Sequence, residues 1–360
     1  MAYAGHQFGG YSPRLGDGRA LLIGEQMTPD GERVDLHLKG TGRTPYSRGG
    51  DGKAALGPML REFLFAEALH ALHIPTARAL AVVGTGELVA RDSQLPGAVL
   101  TRVAASHLRV GTFEYTVRLG DTDVLRRLTD YAIERHYPDA ADSADPALGL
   151  LAAVVDAQAS LVAKWMAVGF IHGVMNTDNV TIGGETIDYG PCAFMDRYDP
   201  ATVFSSIDHG GRYAYGNQPT ITGWNLARLA ESLIPVVVGD TEESVAAVTA
   251  VLDSYPDTFQ QHWLAEMRKK LGLGDAAPAA GDAALVDDLL TILSEQQADY
   301  TSVFRALANH LRQVEGALES TERWASALGA GDRQPGEMAD AMDAVNPVYV
   351  PRNHLVDAAL

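Results

Sequence analysis

Cysteine is almost absent from this 360-residue chain. Cys192 stands alone, which excludes an internal disulfide and any zinc cluster built on cysteines. A reducing, cytoplasmic setting is the expectation that follows. No apolar run approaches the roughly 18–20 residues needed to span a bilayer, so no membrane contact is expected. The opening residues, MAYAGHQFGG, lack the basic stretch and apolar core of a secretory signal. Cations are in short supply as well. The net charge of −18 argues against broad binding to nucleic acid or to anionic membranes. Internal repeats are missing too.

What is present is an ordinary globular balance, 46% hydrophobic and 21% charged, in a length that suits one large core or two lobes. The charge is unevenly spread. Residues 1–120 hold 13 Lys and Arg against 11 Asp and Glu, whereas the remaining 240 hold 15 against 35. A basic first third against an acidic background suits a small polyanion such as a nucleotide. A solvated surface mixture is the plain alternative on charge alone.

The first 110 residues read as strands and tight turns around one helix. Gly-rich stretches punctuate β-prone runs at 20–24 (ALLIG) and 34–38 (VDLHL), and further strands are expected at 79–90 and 97–104. A helical pattern runs from Pro58 through Leu72 and is closed by Pro75. After about residue 115 the pattern turns helical. Asp121 and Thr122 can cap a helix reaching about Tyr137, and a long apolar helix is expected at about 147–168. The stretch 170–190 breaks into a loop, two short β-prone pieces and a turn. From Trp224 onward helices dominate, interrupted at 272–284. The expected fold is α+β and bilobal, a protein-kinase-like arrangement with a small β-rich N-lobe (1–115) holding a single helix, and a larger helical C-lobe (116–360).

The strongest local signal is His172-Gly-Val-Met-Asn-Thr-Asp-Asn179, followed by Ile187-Asp188-Tyr189-Gly190. In protein kinases H-R-D-x-x-x-x-N sets a metal-binding Asn seven residues after the His, and D-F-G follows a short hairpin. Asn179 keeps that spacing, and Asp188 stands where the D-F-G aspartate belongs. A carboxylate and an amide oxygen suit Mg²⁺ and leave room for phosphates and waters. A polar turn with Asp188 in an Asx-turn is the competing interpretation. One departure matters: the usual catalytic Asp, two after the His, is Val174, which accepts no proton. Asp178 is the nearby carboxylate, so the chain is either a dead kinase or runs other chemistry with Asp178 as base.

Upstream, Lys39 ends a β-prone run, and Glu62 lies 23 residues later on the N-lobe helix. Kinases pair a strand lysine with a helix glutamate to hold the lysine against phosphates. Glu62 shares a face with Phe65, Ala66 and Leu69. Glu67 also sits among apolar neighbours, and periodicity alone does not choose between the two. Gly16-Asp17-Gly18-Arg19 precedes the ALLIG strand, where glycines let backbone N–H groups approach a phosphate or simply turn a hairpin. A second Gly-rich loop carries Arg43, Arg48, Asp51, Gly52 and Lys53, and Arg102 and Arg109 lie beyond the helix. Arginine forks suit phosphate oxygens.

With these residues in hand, the chain closely resembles the selenoprotein O (YdiU) family. The matching strings include YAGHQFG (3–9), LGDGRA (15–20), LKGTGRTPYSR (38–48), IPTARAL (74–80), HGVMNTDN (172–179), TIDYGP (186–191) and NP.YVPRNHL (346–355), spread over nearly the whole chain. The resemblance implies a pseudokinase fold that transfers AMP from ATP, or UMP from UTP, to Ser, Thr or Tyr hydroxyls of acceptor proteins, with Mg²⁺ or Mn²⁺. It implies a nucleotide flipped so that its α-phosphate faces the acceptor. Gly16, Gly18 and Arg19 would contact the nucleotide, and Lys39, held by Glu62, the phosphates. Asp51, Gly52, Arg102 and Arg109 would surround the phosphate tail, Asn179 and Asp188 hold the metal, and Asp178 act as base. The expected partners are the nucleotide and protein acceptors, without nucleic acid or membrane, and the expected state is monomeric.

Family members usually carry a further segment before YAGHQFG and continue past RNHL, often to a cysteine or selenocysteine. A sequence that stops at Leu360 puts redox regulation through that residue in doubt, and lack of the first segment could reduce lobe stability or activity. Cys192 stands where the family usually has an aromatic residue, and is expected to be a small buried filler. A nucleotide-binding scaffold without catalysis and a conventional phosphoryl-transferring kinase are the competing functions.

Overall fold

The fold is a mixed α+β one, a computed structural model that describes residues 1–274, 279–313, 324, 328 and 334–360. It opens with a hairpin of β1 (Gly5–Gln7) and β2 (Gly10–Ser12). An antiparallel sheet follows, made of β3 (Ala20–Met27), β4 (Arg33–Lys39), β5 (Ala54–Ala55), β6 (Arg78–Ala90) and β7 (Gln94–Ala104), with strand order β3-β4-β7-β5 and β6 paired to β7. All four longer strands fall where sequence periodicity predicts them.

The inward face of β4 is unusual. Strand alternation sends Asp35, His37 and Lys39 to the same side, and all three are buried. Arg102 of β7 lies directly across from His37 in the register, adding a buried cation to that face. A polar inner face survives only if its charges find partners, and this requirement builds the site.

Helix α1 (Leu56–Ala71) buries Met59, Glu62, Phe65, Ala66 and Leu69 against β6 and β7. Glu62 therefore points inward. Glu67 turns out to the rim, where Arg78 Nε and Nη2 donate to it at 2.8 and 2.7 Å. The expectation of one helix before residue 115 needs correcting, because α2 (Val110–Val117) begins at Val110. The β-rich and helical parts also share contacts across residue 115, since β1 rests on residues 176–178.

In α3 (Thr122–His136), Asp121 Oδ1 caps the first turn by accepting from the N–H groups of Asp123 and Val124 at 3.0 and 3.1 Å. The long apolar helix is α4 (Pro146–Ala167), capped likewise by Asp145. Contrary to the expectation that no apolar run approaches a spanning length, it is long and apolar enough by composition to cross a bilayer. Its apolarity is used otherwise here. Leu150, Leu151, Val154, Leu161 and Val162 are all buried against neighbouring helices, α5 (Gln218–Leu233) and the helix Tyr255–Lys270 among them. Its core-facing side is buried, while Ala152 and Asp156 are exposed.

Helix α5 starts six residues before Trp224, at Gln218, whose side chain accepts from the His172 N–H at 3.0 Å and donates to Phe170 O at 3.0 Å. Further helices cover Thr241–Asp253, Asp282–Glu295, Tyr300–Gln313, Pro335–Val345 and Asn353–Ala359. Of the interruption expected at 272–284, residues 275–278 lie outside the described residues. Cys192 is fully buried, and burial pushes its thiol up to about 12, which fits a filler rather than a reactive thiol.

Candidate active site

Strand β4, two Gly-rich loops and the segment 172–190 converge on one cavity of about 670 Å³, within the size range of small-molecule sites. Gly16, Gly18, Arg19, Lys39, Asp51, Gly52, Arg102, Arg109, Asp178, Asn179 and Asp188 all line it. Residues up to 172 positions apart in the chain thus share one space, and every site residue expected from sequence except Glu62 is on its wall. Glu62 sits behind the wall, bonded to two residues that are on it. Arg43, Arg48, Lys53 and Arg91 also line the cavity. The wall therefore carries eight Lys and Arg side chains against four carboxylates, within a strongly acidic protein. Such a surplus selects a polyanion.

The innermost group is an ion quartet. Lys39 Nζ donates to Glu62 Oε2 at 2.6 Å and to Asp188 Oδ1 at 2.7 Å. Arg102 donates to Glu62 Oε1 through Nε at 3.0 Å and Nη2 at 2.5 Å, and through Nη2 to Asp188 Oδ1 at 2.7 Å. Burial alone would push both carboxyls up. The cations of Arg102 and Lys39 overcome it and hold Glu62 below, and Asp188 well below, the usual carboxylate range, Arg109 also helping for Asp188. Lys39 with Glu62 is the pair expected from sequence; Arg102 as its second cation is not.

A second layer lies below the first Gly-rich loop. Asp17 contacts His37 Nε2 at 3.1 Å and Arg109 Nη1 at 3.7 Å. Burial acts to raise its carboxyl, but the His37 hydrogen bond and the Arg109 charge hold it far below the usual range. Arg109 lies 4.3 Å from the centre of the Tyr3 ring. Sequence reasoning passed over Asp17, His37, Tyr3 and Tyr46. The even spacing of Asp35, His37 and Lys39 on one strand was the available signal for a polar inner face.

The two Gly-rich loops are strapped together. Thr44 Oγ1 donates to Asp17 O at 2.6 Å and Ser47 Oγ to Gly18 O at 2.5 Å. Gly16 has φ +69°, and a Cβ there would sit 2.3 Å from the Tyr46 ring. Gly52 has φ +68°, with a Cβ only 2.0 Å from Gly42 O. Neither place admits a side chain without moving the loop.

The 172–190 segment supplies the remaining groups. His172 is buried, and its Nε2 bonds Ile187 O at 2.9 Å, tying the HGVMNTDN loop to the DYG turn. Asp188 has φ +60°, a left-handed conformation that aims its carboxylate at Lys39 and Arg102. Asn179 Nδ2 donates to Val174 O at 3.0 Å, leaving Oδ1 as the amide's oxygen donor. Asp178 is buried, and its Oδ1 has no hydrogen-bond partner. Its Oδ2 accepts from Gln7 Nε2 at 3.3 Å. Burial pushes this carboxyl up to about 6, with the nearby Arg109 charge opposing.

Among the described residues no three His, Cys, Asp or Glu side chains gather as a metal cage. The oxygens of Asn179 and Asp188, which line one cavity, fit a hard cation that takes few protein ligands and completes its shell with phosphates and water.

The chain is similar throughout its length to known proteins. The family model described as "Protein adenylyltransferase SelO" matches residues 1–359. A protein of Mycolicibacterium smegmatis named "Protein nucleotidyltransferase YdiU" is 60% identical over 364 residues, covering 100% of this chain and 74% of its own length. Proteins of the same name from Rhodococcus jostii and Geobacillus kaustophilus are 59% and 56% identical, again over 100% of this chain and over 72% and 75% of their own lengths.

Proposed function

Because this chain belongs to the protein adenylyltransferase SelO family, we propose that it moves AMP from ATP onto a Ser, Thr or Tyr hydroxyl of an acceptor protein. Transfer of a nucleotide to protein is the chemistry of the family. UMP from UTP is the neighbouring activity that the same site chemistry would allow.

One observation carries the reading. The loop places no carboxylate at Val174, where a phosphoryl-transferring kinase keeps its base, but buries one at Asp178 with an oxygen left unpartnered. In the proposed reaction the acceptor hydroxyl oxygen attacks the α-phosphorus. The bond from that phosphorus to the oxygen bridging it to the β-phosphate breaks, and pyrophosphate leaves. The hydroxyl proton passes to Asp178, whose carboxyl near 6 is ionised at neutral pH yet basic enough to accept it.

The other roles follow from position. Gly16, Gly18 and Arg19 hold the nucleotide, while Lys39, steadied by Glu62, meets phosphate oxygens. Asp51, Gly52, Arg102 and Arg109 surround the phosphate tail, which lies among the Gly-rich loops when the nucleotide is flipped so that its α-phosphate faces Asp178. The crowding of arginines in those loops supports this orientation. Asn179 and Asp188 would hold Mg²⁺ or Mn²⁺, which neutralises phosphate charge when bound. A kinase-like pairing of a β-rich lobe (1–115) with a helical lobe (116–360) belongs to the same proposal.

The test uses ATP labelled at either the α- or the γ-phosphate, with the full chain, Mg²⁺ or Mn²⁺ and acceptor proteins. Label from the α position on protein is expected. Label from the γ position alone marks a conventional kinase, and metal-dependent ATP binding without any transfer marks a scaffold.

A further inference from the structure

The hairpin of β1 and β2 rests directly on the segment that carries Asp178. The His6 N–H donates to Thr177 Oγ1 at 2.7 Å, and Gln7 Nε2 reaches Asp178. From this point a continuous file of rings and guanidinium groups crosses the surface. Tyr11, opposite His6 in the hairpin, has its ring centre 4.8 Å from that of His6. Trp224 of α5 meets His6 edge-on at 5.1 Å. Arg118 lies over Tyr11 at 3.8 Å from the ring centre, and Arg212 and Arg228 lie over Trp224 at 4.8 and 5.0 Å. The rings are half-buried and Arg118 is exposed. None of these residues lines the nucleotide cavity.

The charges on this ledge are unevenly used. Arg228 is paired with Glu231 at 2.7 Å. Among the described residues no ion pair engages Arg118 or Arg212, although residues 121–360 hold 35 Asp and Glu. Arg118 is exposed above the Tyr11 ring and Arg212 half-buried above the Trp224 ring, and a guanidinium held over a ring is already ordered for a carboxylate. Half-buried Trp, Tyr and Arg together are also the side chains that dominate binding energy at protein interfaces.

We propose that this ledge docks the acceptor protein by holding an acidic segment next to the hydroxyl that is modified. The delivery of that hydroxyl to Asp178 rests on the transfer reading above; the docking itself does not. The net charge of −18 opposes a uniformly acidic partner at long range. That repulsion is screened beyond about 8 Å at physiological ionic strength, whereas contact with Arg118 and Arg212 is not. The acceptor that fits is therefore a locally acidic stretch in an otherwise neutral or basic protein.

The test measures binding of fluorescent peptides to the full chain without nucleotide. Three peptides carry one serine flanked by Glu, by Gln or by Lys. The Glu-flanked peptide is expected to bind about tenfold more tightly than the Gln-flanked one, a typical size for two interfacial charges. The double variant R118Q/R212Q removes that preference without changing ATP affinity or melting temperature, and R118E/R212E shifts it to the Lys-flanked peptide. Equal affinity for all three peptides overturns the proposal, as does a Glu preference that survives R118Q/R212Q. Displacement of the peptide by inorganic phosphate at comparable concentration also overturns it, marking a simple anion site. If Glu-flanked peptide binds through these arginines but receives no α-label, the transfer reading fails and the docking surface stands.

Discussion

Replacing Asp178 by Asn separates catalysis from stability at a single atom. The carboxylate is buried and one of its oxygens has no partner. A carboxyl near 6 in the folded chain, against about 4 unfolded, disfavours the charged native state by about 3 kcal/mol. Asn removes this term. Its oxygen can still accept from Gln7, but its NH₂ then stands where Oδ1 lacks a partner, a cost of about 1–3 kcal/mol. The net expectation at pH 7.5 is between no change and a gain of about 2 kcal/mol, a rise in melting temperature of at most about 3 °C for a chain of this length. The sign depends on pH. Because the folded carboxyl binds its proton more tightly than the unfolded one, native stability falls as pH rises from about 4 through about 6 and then levels. The advantage of Asp178→Asn is therefore confined to neutral pH. Near pH 4 the wild-type carboxyl is protonated and the variant is the less stable. Thermal melts in chelator across pH 4–8 read this, and transfer of α-label should fall by at least about a hundredfold. A variant melting several degrees below wild type at pH 7.5, or a difference that ignores pH, would refute the account of an unpaired buried carboxylate.

Other substitutions probe the remaining groups. Glu62→Gln leaves Asp188 alone against buried Lys39 and Arg102, and should cost about 3–5 kcal/mol, or about 4–7 °C in a cooperative melt; a shift below about 1 °C would mean the quartet is not held together by Glu62. Gly5→Ala would put a Cβ 2.5 Å from Asp178 Oδ1, so it should lower kcat while leaving ATP affinity within about twofold, and an unchanged kcat would remove Asp178 from the reaction. Asp188→Ala should abolish the difference in nucleotide affinity between Mg²⁺ and chelator, measured by titration; full retention of that difference would make the metal assignment wrong.

Local properties are legible in the order of residues alone. The strands at 20–27, 33–39 and 78–104 follow from β-prone runs between glycines, and the cap Asp121 begins its helix. Spacing within one loop is enough to relate His172 to Asn179, because a few bonds limit where the second can lie relative to the first. Apolarity is less informative. The 22 residues of α4 carry enough of it to suit a membrane, and burial by its neighbours distinguishes the cases.

Which chemistry-bearing residues exist is written in the chain: a strand Lys, a helix Glu, an Asn and an Asp at metal-like spacing, Asp178 in place of a carboxylate at 174, and arginines among glycines. How they pair is a property of the folded molecule. Folding turns Glu62 inward and leaves Glu67 to Arg78, brings Arg102 against both Glu62 and Asp188, and sets Asp17 and His37 beneath the Gly-rich loop. The physical reason is one of range. Periodicity shows that Glu62 and Glu67 both sit near apolar neighbours, but which one is buried depends on how α1 rotates against β6 and β7. The partner of a buried charge is set by strand register and helix packing over separations such as the 149 residues between Lys39 and Asp188, beyond the reach of any local pattern.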